Sequence, residues 1–127
     1  MVGARTLNEY VIPTVTRAAE AAGRPTPRIA AAFSVCITDR PDRARDRIDA
    51  VLADYTKERP EFKAMLEREN ATRPSEIALV GSEDDVRSRL ERLEVDGLTD
   101  LIASIKAPNS EEVARTRAVL PTMVTGP

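Results

Sequence analysis

Histidine is absent from this chain of 127 residues, and cysteine occurs once, at Cys36. Without an imidazole, Ser-His-Asp and Cys-His catalysis and nearly all zinc sites are excluded for this chain acting alone. With one thiol, no intrachain disulfide can form. Chemistry must then come from a bound cofactor or from carboxylates, Lys, Arg, Tyr or Cys36. No apolar run approaches the roughly eighteen residues needed to cross a bilayer. The amino-terminal MVGARTLNEY lacks the apolar core and cleavage-site pattern of a secretory signal, so a cytoplasmic location away from membranes is expected. Charge of one sign is lacking as well. Nineteen Lys and Arg stand against 21 Asp and Glu, interspersed to a net charge of −2, and no basic face emerges that would neutralise the phosphates of a nucleic acid. Neither G-x-x-x-x-G-K nor G-x-G-x-x-G occurs, and there is no internal repeat or low-complexity tract.

What is present describes one globular domain, with 42% hydrophobic and 31% charged residues. The stretch 77–105, IALVGSEDDVRSRLERLEVDGLTDLIASI, organises the rest and reads as one helix feeding one buried strand. Ser82 with Asp85 resembles a capping box, which starts the helix near Glu83. Glu83, Asp84 and Asp85 place three carboxylates at the positive end of the helix dipole. Val86, Leu90 and Leu93 form the inward stripe, and Gly97 is able to take the positive φ that stops a helix. Leu101, Ile102, Ala103 and Ile105 are nearly continuous in apolar character, which predicts a strand buried on both faces of a parallel sheet.

Earlier in the chain, Thr6 and Glu9 form a T-x-x-E box before Leu7, Tyr10, Val11 and Val15, and Pro13 predicts a kink in that helix before Gly23 ends it. Residues 28–38 read as the first buried strand. Thr38 or Asp39 is placed to cap a helix over 41–57, whose stripe is Ala44, Ile48, Val51, Leu52 and Tyr55. Pro60 opens a shorter helix with Phe62, Met65 and Leu66 on its apolar side. Ser110 is expected to cap the last helix and Pro121 to stop it, leaving 121–127 as a frayed tail. Helix, strand, helices, strand, helix is the alternation of parallel βαβ units, yet two strands do not complete such a sheet.

Few residues invite a chemical role. Cys36 sits in an apolar strand without a flanking cation and reads as core. Tyr10 and Tyr55 lie on apolar stripes and read as packing residues. Gly81 reads as a turn before a capped helix. Asp39, Arg40, Asp42 and Arg43 read as capping and solvent-facing pairs. Ser104 and Lys106 at the end of the second strand, with Asn109 and Ser110 opening the next helix, form the candidate anion site, Lys106 being equally readable as an exposed loop charge.

The segments ARTLNEYVIPTVTRAAEAAGRPTPRIAAAFSVCITD, YTKERPEFKAMLEREN and IALVGSEDDVRSRLERLEVDGLTDLIAS, in that order, resemble the C-terminal part of the luciferase-like monooxygenase family, and within it the coenzyme F420-dependent oxidoreductases. The resemblance spans residues 1–120. It implies an α/β chain forming part of a (β/α)₈ barrel, namely its last βα units, helix-rich and with a small parallel sheet. It implies hydride transfer through F420 or FMN to or from a small-molecule substrate. It also implies a chain incomplete as an enzyme, since the N-terminal strands are missing, so its partner would be the missing barrel portion or a second copy. No catalytic residue carries over by motif; the cofactor-binding candidates remain Ser104, Lys106 and Ser110. The competing expectation is a non-catalytic α/β interaction module that oligomerises through open sheet edges.

Overall fold

The computed structural model describes residues 1–124. Its centre is β1 (Ala30–Ile37), which pairs in parallel with β2 (Leu79–Gly81) on one edge and with β3 (Asp100–Ile105) on the other. The small residues of AAAFSVCI let neighbouring elements approach closely, and Val35, Cys36 and Ile37 are fully buried. Side-chain alternation divides β1 between two layers. Ala31, Phe33, Val35 and Ile37 face a core shared with Leu79, Val86, Leu93, Leu98 and Leu120. Cys36 faces the opposite way, into a smaller cluster with Ala44, Ile48, Leu52, Ala78 and Val80.

Helices cover both faces. The N-terminal segment runs through α1 (Ala4–Thr6), a π-helical turn at Leu7–Val11 and α2 (Ile12–Ala21), and its Leu7, Val11 and Ile12 pack on the larger core. On the same side lie α6 (Glu83–Asp96) and α7 (Ser110–Met123). On the other side lies α3 (Pro41–Val51), followed by α4 (Ala53–Glu58) and α5 (Pro60–Arg68); Phe62, Met65 and Leu66 of α5 form a third cluster with Tyr55 edge-on to Phe62. A 3₁₀ turn at Pro74–Ile77 leads into β2.

The organising stretch folds as its local chemistry dictates. Ser82 accepts from the Asp85 N–H while the Asp85 carboxylate accepts from the Ser82 N–H, so the capping box is complete. Gly97 ends α6 at a φ of 121°, a conformation that a side chain would strain.

Several expectations are corrected. The sheet has three strands: Leu79–Gly81, read as the approach to a helix, pairs with Val35, Cys36 and Ile37. A three-residue strand carries too little periodicity to declare itself, and only its pairing defines it. β3 is not buried on both faces: Leu101 and Ala103 pack on the larger core, while Ile102 on the opposite face is 56% exposed. The helix over 41–57 is broken at Leu52 into α3 and α4, and Val51 faces solvent. Thr6 is not an N-cap. It lies inside the helix, which begins after Gly3, and the first N–H groups are met by a carboxylate distant in sequence, Glu69, which accepts from Arg5 and Thr6. Glu9 instead pairs with Arg5. The irregularity expected near Pro13 takes the form of the π turn just before it. Tyr10 is exposed with Arg68 over its ring rather than packed. Pro121 does not stop α7, which continues to Met123 because Leu120 and Met123 hold the last turn against the core. The expected frayed tail is therefore helical at Pro121, Thr122 and Met123, while its residues 125–127 lie outside the described residues.

Replacing the buried Leu93 by Ala should cost about 2–5 kcal/mol in urea denaturation, and the half-buried Leu90 distinctly less. Gly3→Ala should cost about 1–3 kcal/mol, since its methyl would overlap the Glu69 side chain that caps the first helix. Unchanged midpoints for Leu93→Ala and Gly3→Ala would refute these packing assignments.

Candidate functional site

The connections leaving β1 and β3 depart to opposite faces, toward α3 and α7 respectively. In open α/β sheets such a divergence leaves a crevice at the carboxyl ends of the strands, where ligands commonly sit. Here Thr38 and Asp39 follow β1, and residues 106–109 follow β3, at those carboxyl ends.

Ser34 and Ser104 are direct partners in the β1–β3 register, so their side chains share one face of the sheet. Lys106, two residues beyond Ser104, is on that face too. Its ammonium donates to Ser34 Oγ at 3.0 Å and to Ser104 Oγ at 2.7 Å, and the Ser34 hydroxyl turns to Met1 Sδ at 3.4 Å. An ammonium has three donors, so one remains for an incoming acceptor. Burial lowers the Lys106 pKa from its ordinary value, and no carboxylate opposes that shift. The result is a half-buried cation set between two hydroxyls, suited to an anionic group.

Of the residues expected from sequence, Ser104 and Lys106 are brought together, and Ser110 is not. Ser110 is exposed in the first turn of α7, and the cap there is Asn109, whose Oδ1 accepts from the Glu112 N–H at 2.9 Å. Asn is as good a cap as Ser, and the choice between adjacent capping residues rests on where the chain turns into the helix. Ser34 was missed. Its signal was a lone hydroxyl inside an apolar strand, which becomes meaningful only once the register places Ser104 beside it.

A second polar group lies at the end of β1. Thr38 Oγ1 donates to Glu112 Oε1 at 2.5 Å and accepts from the Arg40 N–H at 2.9 Å, so it anchors the turn rather than capping α3, whose N-cap is Arg40. Glu112 Oε2 is buried without a hydrogen-bond partner. Thr116, one turn along α7, is fully buried; it accepts from the Ile37 N–H at 3.0 Å and donates to the Glu112 carbonyl at 2.8 Å. Arg115 joins Asp39 at 3.3 Å to Glu83 at 3.9 Å. Asp39 therefore pairs in solvent, as expected of that run. Cys36 lies beneath this group as core, its thiol pushed up to about 11 by burial first and the Glu112 charge second.

The larger concavities lie away from Lys106. One of about 430 Å³ is bordered by Leu90, Gly97, Leu98, Leu101 and Met123 at the amino end of β3. Another of about 520 Å³ is bordered by Asp49, Thr56, Lys57 and Arg73. Among the described residues, no group of His, Cys, Asp and Glu side chains is arranged to hold a metal ion, and no helix is long and apolar enough to cross a membrane. No family model, curated protein or solved structure matches the chain.

Two measurements test this geometry. Thr116→Val should cost about 1–3 kcal/mol, because the Ile37 N–H loses its acceptor in a dry site. The Cys36 thiol keeps its proton to higher pH folded than unfolded, so its contribution to stability is complete below about pH 9 and is lost as pH rises through about 11. Urea midpoints of the wild type and of Cys36→Ala should accordingly converge over that range, and parallel curves would contradict the assignment.

Proposed function

We propose that this chain is the C-terminal portion of a luciferase-like oxidoreductase, supplying the last two long strands of a (β/α)₈ barrel in which hydride passes through coenzyme F420 or FMN. The observation that carries this reading is the parallel contact of β1 and β3, with the Lys106 cluster at their carboxyl ends, where barrel enzymes bind ligands. The face of that pair away from α6 and α7 is lined by Ala30, Ala32, Ser34, Ile102 and Ser104. Its small residues, with Ala30 and Ile102 exposed, suit the inward side of a larger assembly.

The residues present fit part of such a cofactor. Lys106, with Ser34 and Ser104 orienting its ammonium, would hold an anionic group such as a phosphate. Among the described residues, the concavity beside the cluster, bordered by Met1, Ala32, Ser34 and Ile77, has no room for a water molecule, let alone a ring system. A cofactor pocket buries most of its ligand, so the remaining wall has to come from strands outside this chain. The bound cofactor supplies the hydride chemistry, and this chain's role is to position charge.

A second reading, a non-catalytic α/β module that associates through its sheet edges, is favoured by one observation. In a barrel, consecutive strands are neighbours and the helices lie outside; here β2 takes the far edge of β1 at Val35, Cys36 and Ile37, and α3 covers the face opposite α6. Under the oxidoreductase reading, β2 and α3 must yield that edge to a preceding barrel strand.

Fluorescence titration with FMN and with F420, followed by hydride-transfer assays, separates the two. The isolated chain should bind weakly and not turn over, and activity should appear on adding the N-terminal barrel portion of a luciferase-like oxidoreductase. Lys106→Ala should weaken FMN binding roughly tenfold or more through loss of a charge-assisted contact. Turnover by the isolated chain would overturn the fragment reading, and absence of binding in both preparations would leave the edge-associating module.

A further inference from the structure

The outer edge of β3 has no partner among the described residues. The Asp100 and Lys106 N–H groups donate to the carbonyls of Ile29 and Val35 on β1. Because a parallel ladder turns alternate residues toward its partner, the backbone groups of Leu101, Ala103 and Ile105 point outward. Natural edges are usually blunted by proline, a bulge or an inward-pointing charge, and residues 101–105 contain none of these. The charges stand only at the two ends: Asp100 at the start and Lys106 just past the finish, both on the same face as Ile102 and Ser104.

We propose that two copies of this chain pair antiparallel through β3, about a twofold axis at Ala103, to form a continuous six-stranded sheet. In that register Ala103 faces Ala103 of the second copy, and Leu101 faces Ile105. All the outward backbone groups are then matched, in roughly six hydrogen bonds. Asp100 of each copy comes opposite Lys106 of the other, in the closer, non-hydrogen-bonded type of pair, and Ile102 comes opposite Ser104. Sliding the copies by two residues in either direction unpairs one end of the ladder and separates the opposite charges. An in-register parallel pairing would set Asp100 beside Asp100 and Lys106 beside Lys106, which is repulsive. Charge therefore selects both the partner, a second copy, and the register. The exposed Ile102 of each copy is brought onto a shared strip across the axis. This inference rests on the edge-association reading and not on the oxidoreductase one.

Sedimentation velocity of the full chain from micromolar to hundreds of micromolar concentration tests it. The wild type should be a reversible dimer. Ala103→Pro removes the outward N–H at the axis and should give a monomer with an unchanged circular dichroism spectrum. Lys106→Glu should raise the dimer dissociation constant about tenfold, since two attractions become two repulsions. Asp100→Lys combined with Lys106→Glu should restore it, the exposed Arg28 being free to swing off its present partner Asp100. A wild type that stays monomeric, or a dimer indifferent to Ala103→Pro, overturns both the inference and edge association. A dimer broken by Ala103→Pro but not restored by the charge exchange keeps edge association and overturns this register. If Ala103→Pro does not fold, the single and exchanged charge variants still decide, because loss without recovery counts against the proposal.

Discussion

Every other element depends on β1 being paired along both edges while buried between two helical layers. A strand in that position satisfies its backbone through neighbouring strands, because a buried peptide group without a partner is costly. β3 does this from Ala30 to Val35, and β2 does it only at Val35, Cys36 and Ile37. At the end of β1, the Thr38 N–H goes to Gly81 and the Ile37 N–H goes to the Thr116 hydroxyl. A helix thus completes a hydrogen-bonding requirement left open where the β3 pairing ends at Val35, and the position of α7 is tied to it.

The same constraint gathers the polar groups at the strand ends. Because α7 comes close enough for Thr116 to reach β1, its first turn brings Glu112 against Thr38, and the preceding loop carries Lys106 back over the serines of β1 and β3. The cation and the carboxylate are held by different strands' ends and do not neutralise each other. Lys106 is thus held by two hydroxyls, with no carboxylate among its hydrogen-bond partners.

The unequal edges of the sheet have separate consequences. The β2 side is shielded by α3 and by the 3₁₀ turn whose Ser75 is held by Asp49 at 2.9 Å. Among the described residues no strand pairs with the β3 side, and its alternating pattern of inward and outward backbone groups is regular along the strand. Both functional readings make use of this asymmetry: one fills the free edge with further barrel strands, the other with a second copy.

Local chemistry was sufficient to locate α6 from its capping box and carboxylate-rich first turn, to end it at Gly97, and to mark β1, the stripe of Ala44, Ile48 and Leu52, and Cys36 as core. These features depend on residues within one or two turns of each other, so the chain itself specifies them. The Glu69 cap of the first helix, the pairing that makes a strand of Leu79–Gly81, and the exposure of Ile102 depend on residues far apart in sequence, and sequence patterns misread each of them. The candidate site divides along the same line. Ser104 and Lys106 were legible as polar residues at a strand end, but Ser34 joined them only through the β1–β3 register, and Ser110 lost its place to Asn109 through the angle at which the backbone enters α7. Local propensity and capping are short-range and written in neighbouring residues; register, strand order and distant caps are settled by which packed arrangement satisfies all buried backbone groups at once.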